Sequence, residues 1–504
     1  MSLLGIDVGT TGCKAAAFDL QGRVLGAAYR EFAVRSARPG WAELDPGEIW
    51  SLVQDCVREA IVPTGGDPVT ALSVSSLGEA SVPVSRDRRI LGPSILNFDP
   101  RGADYVEPLR STVSDDELYA LNGNTHGNHY GLTKIMWLRD HRPELYAEAD
   151  RFLLWSGFIE FMLGAEPRID YSLACRTLLF DLDREAWSTR VAEAAGIDLA
   201  KLPPPVPSGT VVGAVSDAVA ADLGLPKGVA VVSGAHDQCA NAVGCGVVGP
   251  GAAMYGMGTF TCIVPVFSSR PDTRAMPAHG LNTEHHAVPG RFVTFIYNQG
   301  GSILKWCRDT FANLDHARAR EAGRDVYDDL LREMPQGPSG VIVLPHFTTT
   351  GPPEFIADSC GMIAGLRLDT TRGRILKGAL EGTTFYLREI VDALPSVGLE
   401  VDEYTAVGGG AKSEAWVHLA ASIFGKPFRI PEVTEAGALG AALMAGVGTG
   451  VYASYSDAVS AAVRIDRTIE PDMDEHARYA PLYRCYRETK PHFREYLRVL
   501  AAQA

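Results

Sequence analysis

Residues 228–260 read GVAVVSGAHDQCANAVGCGVVGPGAAMYGMGTF. Val229 to Val232 is an apolar, β-branched run too short for a helix, which predicts a strand buried on both faces and ending at Ser233-Gly234. Asp237 lies just past its carboxyl end, the side of open α/β sheets where ligands sit. It opens a helix expected over Asp237 to Val243, as a first-turn acid favoured by the helix dipole. An isolated aspartate at such a junction commonly serves only as a helix cap, so a chemical role has to come from the rest of the chain. Beyond Gly249-Pro250-Gly251 a new strand runs into Tyr255-Gly256-Met257-Gly258-Thr259, a glycine turn whose backbone N–H groups can face a phosphate.

Working outward, 504 residues exceed what one core sustains and predict two domains. Hydrophobic content of 46% and charged content of 21% are ordinary for an enzyme. A formal net charge of -15 argues against nucleic acid and membrane as partners, since no basic field draws polyanions in. An anion such as ATP then needs local donors. Nine scattered cysteines without a C-x-x-C pair suit free thiols in a reducing cytoplasm rather than zinc or disulfides. Met1-Ser2 leads straight into a strand, Leu3 to Asp7, which predicts neither a signal peptide nor a membrane segment.

The first 28 residues read as a three-stranded meander: Leu3 to Asp7, a turn at Gly9-Thr10-Thr11-Gly12, a second strand, and a third around Val24 to Ala28. The small turn residues let the backbone approach a phosphate, Lys14 adds a positive charge, and Asp7 offers an oxygen to Mg²⁺. An ordinary hairpin reads the same way. Glu48 to Ile61 has helical spacing and Ala71 to Ser75 returns as a buried strand. Two polar clusters, Leu77-Gly78-Glu79-Ala80-Ser81 and Asn97-Phe98-Asp99-Pro100-Arg101, each follow an apolar segment, where carboxylates can accept from a hydroxyl-rich ligand. The bland alternative for Asp99 and Arg101 is a surface ion pair of little energetic weight. Lys201 to Pro207, with four prolines, reads as a surface loop.

The second half repeats strand, glycine turn, strand over Ala252 to Val266. Asn298-Gln299-Gly300-Gly301-Ser302 enters a helix, Ile303 to Phe311, whose start suits an anion. Ala379 to Ala393 is helical. A strand over Glu403 to Val407 leads through Gly408-Gly409-Gly410-Ala411-Lys412-Ser413 into a helix over Glu414 to Phe424. Glu435 to Ala442 is a small-residue helix start that permits close packing. Gly244 to Gly249 matches G-x-G-x-x-G, but it follows a helix and ends in Pro-Gly, whereas the dinucleotide fingerprint needs a strand before and a helix after. With no G-x-x-x-x-G-K-[ST] either, both Rossmann and P-loop readings fall away.

Taken in order, Asp7-Val8-Gly9-Thr10-Thr11, Asp237-Gln238, Gly256-Met257-Gly258-Thr259 and Gly408 to Ser413 resemble the FGGY carbohydrate kinases. Their motifs are nearest the fuculose-kinase-like and xylulokinase-like branches. The resemblance covers nearly the whole chain. It implies an α/β fold of two ribonuclease H-like domains of the actin/hexokinase superfamily around a central cleft: residues 1–247, binding sugar and phosphate, and 248–504, binding nucleotide. It also implies a cytoplasmic, ATP- and Mg²⁺-dependent enzyme phosphorylating a small sugar, ketose or polyol, with a homodimer left open.

By position the resemblance makes Asp237 the general base and Asp7 the Mg²⁺ partner. Thr10, Thr11, Lys14, Gly258 and Thr259 become phosphate contacts, Gly301 and Lys305 flank the nucleotide, and Gly409, Gly410, Ala411 and Glu414 line the adenosine pocket. Glu79, Asp99 and Gln238 bind sugar hydroxyls. Met257 stands where threonine is usual. Gly78 replaces the arginine of glycerol kinases and the methionine of xylulokinases, and Glu79 the histidine of xylulokinases, which leaves room for a larger polyhydroxylated substrate. His126 and His129 are candidates for the sugar pocket and His285-His286 for a metal, against a structural or solvent-facing role for each, which the lack of companions at metal-ligand spacing favours. The rival readings are a chaperone-like or filament-forming ATPase on the same fold, a sugar-sensing regulator and, within kinases, a gluconate or glycerol/erythritol kinase. The regulator lacks a DNA-binding helix-turn-helix in the sequence. The acids Glu79, Asp99 and Asp237 speak for a sugar.

Overall fold

The computed structural model describes residues 1–503 except 352, 353 and 355. Its organising element is a six-stranded sheet with the strand order 211–214, 230–236, 69–76, 2–8, 12–18, 24–31. Ser2–Val8, Gly12–Phe18 and Val24–Glu31 form the antiparallel meander, and Val69–Ser76 and Ala230–His236 add in parallel beside Ser2–Val8. The strand expected to stop at Ser233-Gly234 continues to His236. Its register slips between Val232 and Ala235, and the Gly234 N–H leaves the ladder to donate to Glu160 Oε1 at 2.9 Å. The irregularity lengthens the strand and delivers Asp237 directly to the sheet's carboxyl edge.

Helix Pro46–Ile61 covers one face of this sheet. Asp45 caps it by accepting from the Gly47 and Glu48 N–H groups at 2.9 and 3.0 Å, Pro46 supplies the preset first turn, and Ile49, Val53, Val57 and Ala60 form its buried stripe. Trp155–Leu163 packs on that same face beside the strands 69–76 and 230–236, and the opposite face is covered by Ala436–Gly448, a helix from late in the chain. Ala436–Gly448 also packs along Asp237–Gly244. A Cβ on Gly440 would stand 1.9 Å from the Ala240 carbonyl oxygen, and one on Gly244 would meet the Ala436 carbonyl oxygen at 1.9 Å. Only glycine permits that approach, which is why the run from Glu435 is so small.

The second sheet follows the same plan: the hairpin Gly251–Met257 and Phe260–Phe267 is antiparallel, Val401–Val407 lies parallel to Gly251–Met257, and Phe428–Pro431 parallel to Val401–Val407. Helix Glu414–Phe424 matches its expected bounds, Gly301–Phe311 starts two residues before the expected Ile303, and Arg372–Val391 starts seven residues before the expected Ala379 and stops two short of Ala393. The proline-rich loop is not wholly irregular, since Pro205–Val206 pairs in parallel with Ile169–Asp170. Among the described residues, no helix is long and apolar enough to cross a membrane and no cluster of three metal-ligating side chains occurs.

Candidate active site

Three parallel strands end side by side and bring the first site residues together. Asp7 and Ser75 are register partners, and the Ser75 hydroxyl donates to Asp7 Oδ1 at 2.6 Å. Burial pushes the Asp7 carboxyl upward, opposed by Ser75 and Lys14. One strand along, His236 pairs with Ser76 and the chain turns into helix Asp237–Gly244. Asp237 is not the cap of that helix: the flanking position is His236, and no side chain closes the start. Its carboxyl, 27% exposed, is pushed up to about 7, chiefly by burial and then by Asp7 and Glu79, while hydrogen bonds from Gln238 act the other way. A group poised near neutrality in a cleft is suited to taking a proton from a hydroxyl.

Glu79 sits in a left-handed backbone conformation, φ 61°, with the Ala80 N–H donating to the Gly78 carbonyl at 2.7 Å. Holding a non-glycine residue there is strained and fixes where its carboxylate points. That carboxylate meets Arg176, whose Nε donates to Glu79 Oε1 at 2.8 Å, with a second contact from Nη2. Arg176 Nη1 donates to Glu284 Oε1 at 2.6 Å, and Asn282 donates to the same oxygen at 2.9 Å. Asn97 approaches Glu79 Oε2 at 3.4 Å, Tyr130 and Phe295 flank the guanidinium, and His236 Nε2 lies 3.3 Å from Asp237 Oδ1. Burial and Arg176 hold His236 neutral. Arg176, Glu284 and His236 were not singled out as site residues from the sequence. Residues 79, 176 and 284 have no common spacing, although His236, adjoining the acid, was visible as a neighbour.

Several expectations require correction. Asp99 is not a sugar ligand: it is fully buried and its oxygens are filled by the Ala42 N–H at 2.6 Å and by Arg101 through its backbone N–H, Nε and Nη2 at 2.8, 2.9 and 2.6 Å. The pair is not on the surface either, because Arg101 is buried against Trp41 and also bonds Glu43. The space above Gly78 is not vacant: a Cβ there would lie 3.1 Å from His236 Nε2 and 3.3 Å from Arg176 Cγ. The long side chain of Arg176, from another element, fills the room that glycine leaves.

The phosphate turns are partly closed on themselves. The Gly9 N–H donates to the Gly12 carbonyl, the Gly258 N–H to that of Phe260, and the Gly301 and Ser302 N–H groups to the carbonyls of Gly258 and Thr259. The start of helix Gly301–Phe311 is therefore capped by the second turn rather than open to an anion. Lys14 is paired with Glu435. Thr11, Thr259 and Lys305 are exposed, with Thr10 half-buried. In the 408–413 run, Gly409 and Glu414 are exposed, but Ala411 is buried in the core and a Cβ on Gly410 would strike Trp416 and Met257. Ala411 thus supports the turn from below. His126 bonds Asp115 at 2.8 Å, and His285 reaches the Leu182 carbonyl oxygen at 3.1 Å.

Comparison with known proteins agrees across both halves. The N-terminal domain model of the FGGY family of carbohydrate kinases matches residues 2–244, and its C-terminal domain model matches residues 253–449. A xylulose kinase of Staphylococcus epidermidis is 28% identical over 488 residues, 96% of this chain and 95% of that protein. An autoinducer-2 kinase of Escherichia coli K12 is 29% identical over 503 residues, 95% of this chain and 92% of that protein. The crystal structure of xylulose kinase from Rhodospirillum rubrum superposes with a TM-score of 0.87 at 26% identity, covering 99% of this chain and 100% of that one. With its paired sheets, its acid at the strand ends and both domain models matched, the chain belongs to the FGGY family of carbohydrate kinases and is an ATP-dependent sugar kinase.

Proposed function

We propose that this kinase phosphorylates a hydroxyl of a small ketose of the xylulose type, with Asp237 as general base. The observation that carries the reading is the Asp237 carboxyl, raised to about 7 at the carboxyl edge of the first sheet and flanked by Asp7 on one side and Glu79 on the other. Phosphoryl transfer passes through a loose transition state, so positioning and charge neutralisation carry most of the rate and the base takes its proton late. Glu79 and Gln238 hold the acceptor's hydroxyls while Asp237 receives the proton from the attacking one. Thr10, Thr11 and Thr259 offer hydroxyls to the phosphates, and Lys14 exchanges Glu435 for a phosphate oxygen. Lys305, Gly409 and Glu414 border the nucleotide.

Asp7 and Asp237 are both half-buried, and the Asp7 charge opposes ionisation of Asp237, an arrangement that fits a divalent cation held by Asp7 through water. Mg²⁺ bound there would neutralise charge on the transferring phosphate. The division of labour, sugar and phosphate on residues 1–247 and nucleotide on 248–504, is part of the same reading, as is a cytoplasmic setting in keeping with nine free thiols. A coupled assay of ADP release tests it with Mg²⁺-ATP and a panel of xylulose, autoinducer-2, fuculose, gluconate and glycerol. Xylulose-type acceptors should stimulate release far above the level without acceptor, and no stimulation by any of them would refute the reading.

A further inference from the structure

The Glu79–Arg176–Glu284 chain of ion pairs joins the two halves at the floor of the acceptor pocket. Glu79 and Arg176 come from the part matched by the N-terminal domain model, Glu284 from the part matched by the C-terminal one. Arg176 has five N–H donors, and three are committed to these two acids. Glu284 is fully buried, and while its Oε1 accepts from both Arg176 and Asn282, its Oε2 has no hydrogen-bond partner. With only the Asn124 amide beside that carboxyl as a further donor, a buried oxygen left without a well-formed hydrogen bond calls for a donor from a ligand or water. Glu79 Oε2 is engaged only by Asn97 at 3.4 Å. The pocket thus offers two under-used carboxylate oxygens, which accept from hydroxyls, beside a guanidinium with donors to spare.

Charge decides what enters. Arg176 already faces two acids, with Asp237 close enough to feel Glu79. The neighbouring bases do not redress the balance: His129 and His236 are held neutral by burial and by Arg176 itself, and Lys14 is taken by Glu435. A carboxylate on the acceptor would meet Glu79 and Glu284 without an uncommitted cation, and like charges facing one another across a site reject a ligand. Resting on the kinase reading above, we propose that the Glu79–Arg176–Glu284 triad determines specificity by admitting uncharged polyhydroxylated acceptors and excluding aldonates. Arg176 acts as a positioning residue that fills the space above Gly78 and fixes both carboxylates, and Glu284 is an acceptor-binding residue contributed by the second half.

Calorimetric titration of the full-length protein with D-xylulose, xylitol and D-gluconate, alongside ADP, tests the proposal by binding and does not depend on turnover. The wild type should bind the neutral acceptors at least about tenfold more tightly than gluconate. Glu284→Gln should shift that ratio towards gluconate, because it removes a negative charge and loosens Arg176. Arg176→Met should weaken neutral acceptors by about 10- to 150-fold, the scale of hydrogen bonds to charged groups, with Arg176→Lys restoring part of the loss and ADP affinity unchanged in every variant. Gluconate bound as tightly as xylulose by the wild type would overturn the proposal, as would a ratio unmoved in Glu284→Gln that still binds ADP. The two readings separate cleanly: gluconate as the best-phosphorylated acceptor removes the triad's role and keeps the kinase. Neutral sugars bound but never phosphorylated keep the triad and remove the acceptor chemistry, and no acceptor bound at all removes both.

Discussion

Replacing Asp237 by asparagine should make the protein more stable and almost inactive. Moving a carboxyl from its ordinary 3.8 to about 7 disfavours its charged form in the folded chain by about 4 kcal/mol at pH 8. The sign follows from proton binding. Between pH 4 and 7 the folded protein keeps a proton on Asp237 that the unfolded chain has released, so this group makes stability fall as pH rises, and the loss is complete above about 7. Asparagine keeps the shape and carries no charge. Its advantage should therefore be small near pH 4, grow through the window and level off above neutrality, with about 4 kcal/mol as the upper bound. Turnover should drop by about two to four orders of magnitude, the scale for a general acid–base group, with sugar and ADP affinity retained. Thermal denaturation of both proteins from pH 5 to 8, beside a coupled ADP assay, reads both effects. An aspartate with a purely structural role would show the reverse, so a variant less stable than wild type at pH 8, or one with near-normal turnover, would refute the reasoning.

The same carboxyl should give wild-type kcat/KM an acid limb near pH 7, falling about tenfold per pH unit below it, measurable in a three-component buffer. Gly78→Arg should lower activity on every acceptor instead of shifting preference to glycerol, because the new Cβ already crowds His236 and Arg176; a gain on glycerol would show that the pocket floor yields. Asp99→Ala should destabilise the fold by up to about 3–5 kcal/mol, since it leaves buried Arg101 with Glu43 as its one remaining acid partner, while leaving KM for the sugar nearly unchanged in protein kept folded at low temperature; denaturant melts and initial rates decide this. Sugar plus nucleotide should compact the particle as the halves rotate about the linker around Gly249-Pro250-Gly251, and identical small-angle scattering curves with and without ligands would contradict it.

What could be read in the chain was whatever depends on neighbours in sequence. The meander, the duplicated strand–turn–strand and the placing of Asp7 and Asp237 at strand ends all follow from runs of β-branched and small residues, and the structure reproduces them. The reading of Asp99 failed because a polar residue after a strand looks the same whether its acceptors are free or filled. Here Arg101, two residues on, folds back onto it, and the Ala42 N–H arrives from 57 positions away. Gly78 misled for the same reason. A missing side chain implies space only if no other element moves in, and Arg176 does so from 98 positions along the chain. The phosphate turns show the converse: glycine licensed the close approach, but the approach is between the second turn and the helix at Gly301, whose first N–H groups donate to the turn's carbonyl oxygens. In all three cases the pattern located a polar or small residue correctly and could not say which partner it had, because the partner's distance in sequence carries no periodicity. The specificity determinants proposed above are long-range pairs of this kind. Glu79, Arg176 and Glu284 hold one another across the two halves, so the acceptor pocket takes its final form only when both halves are folded and together.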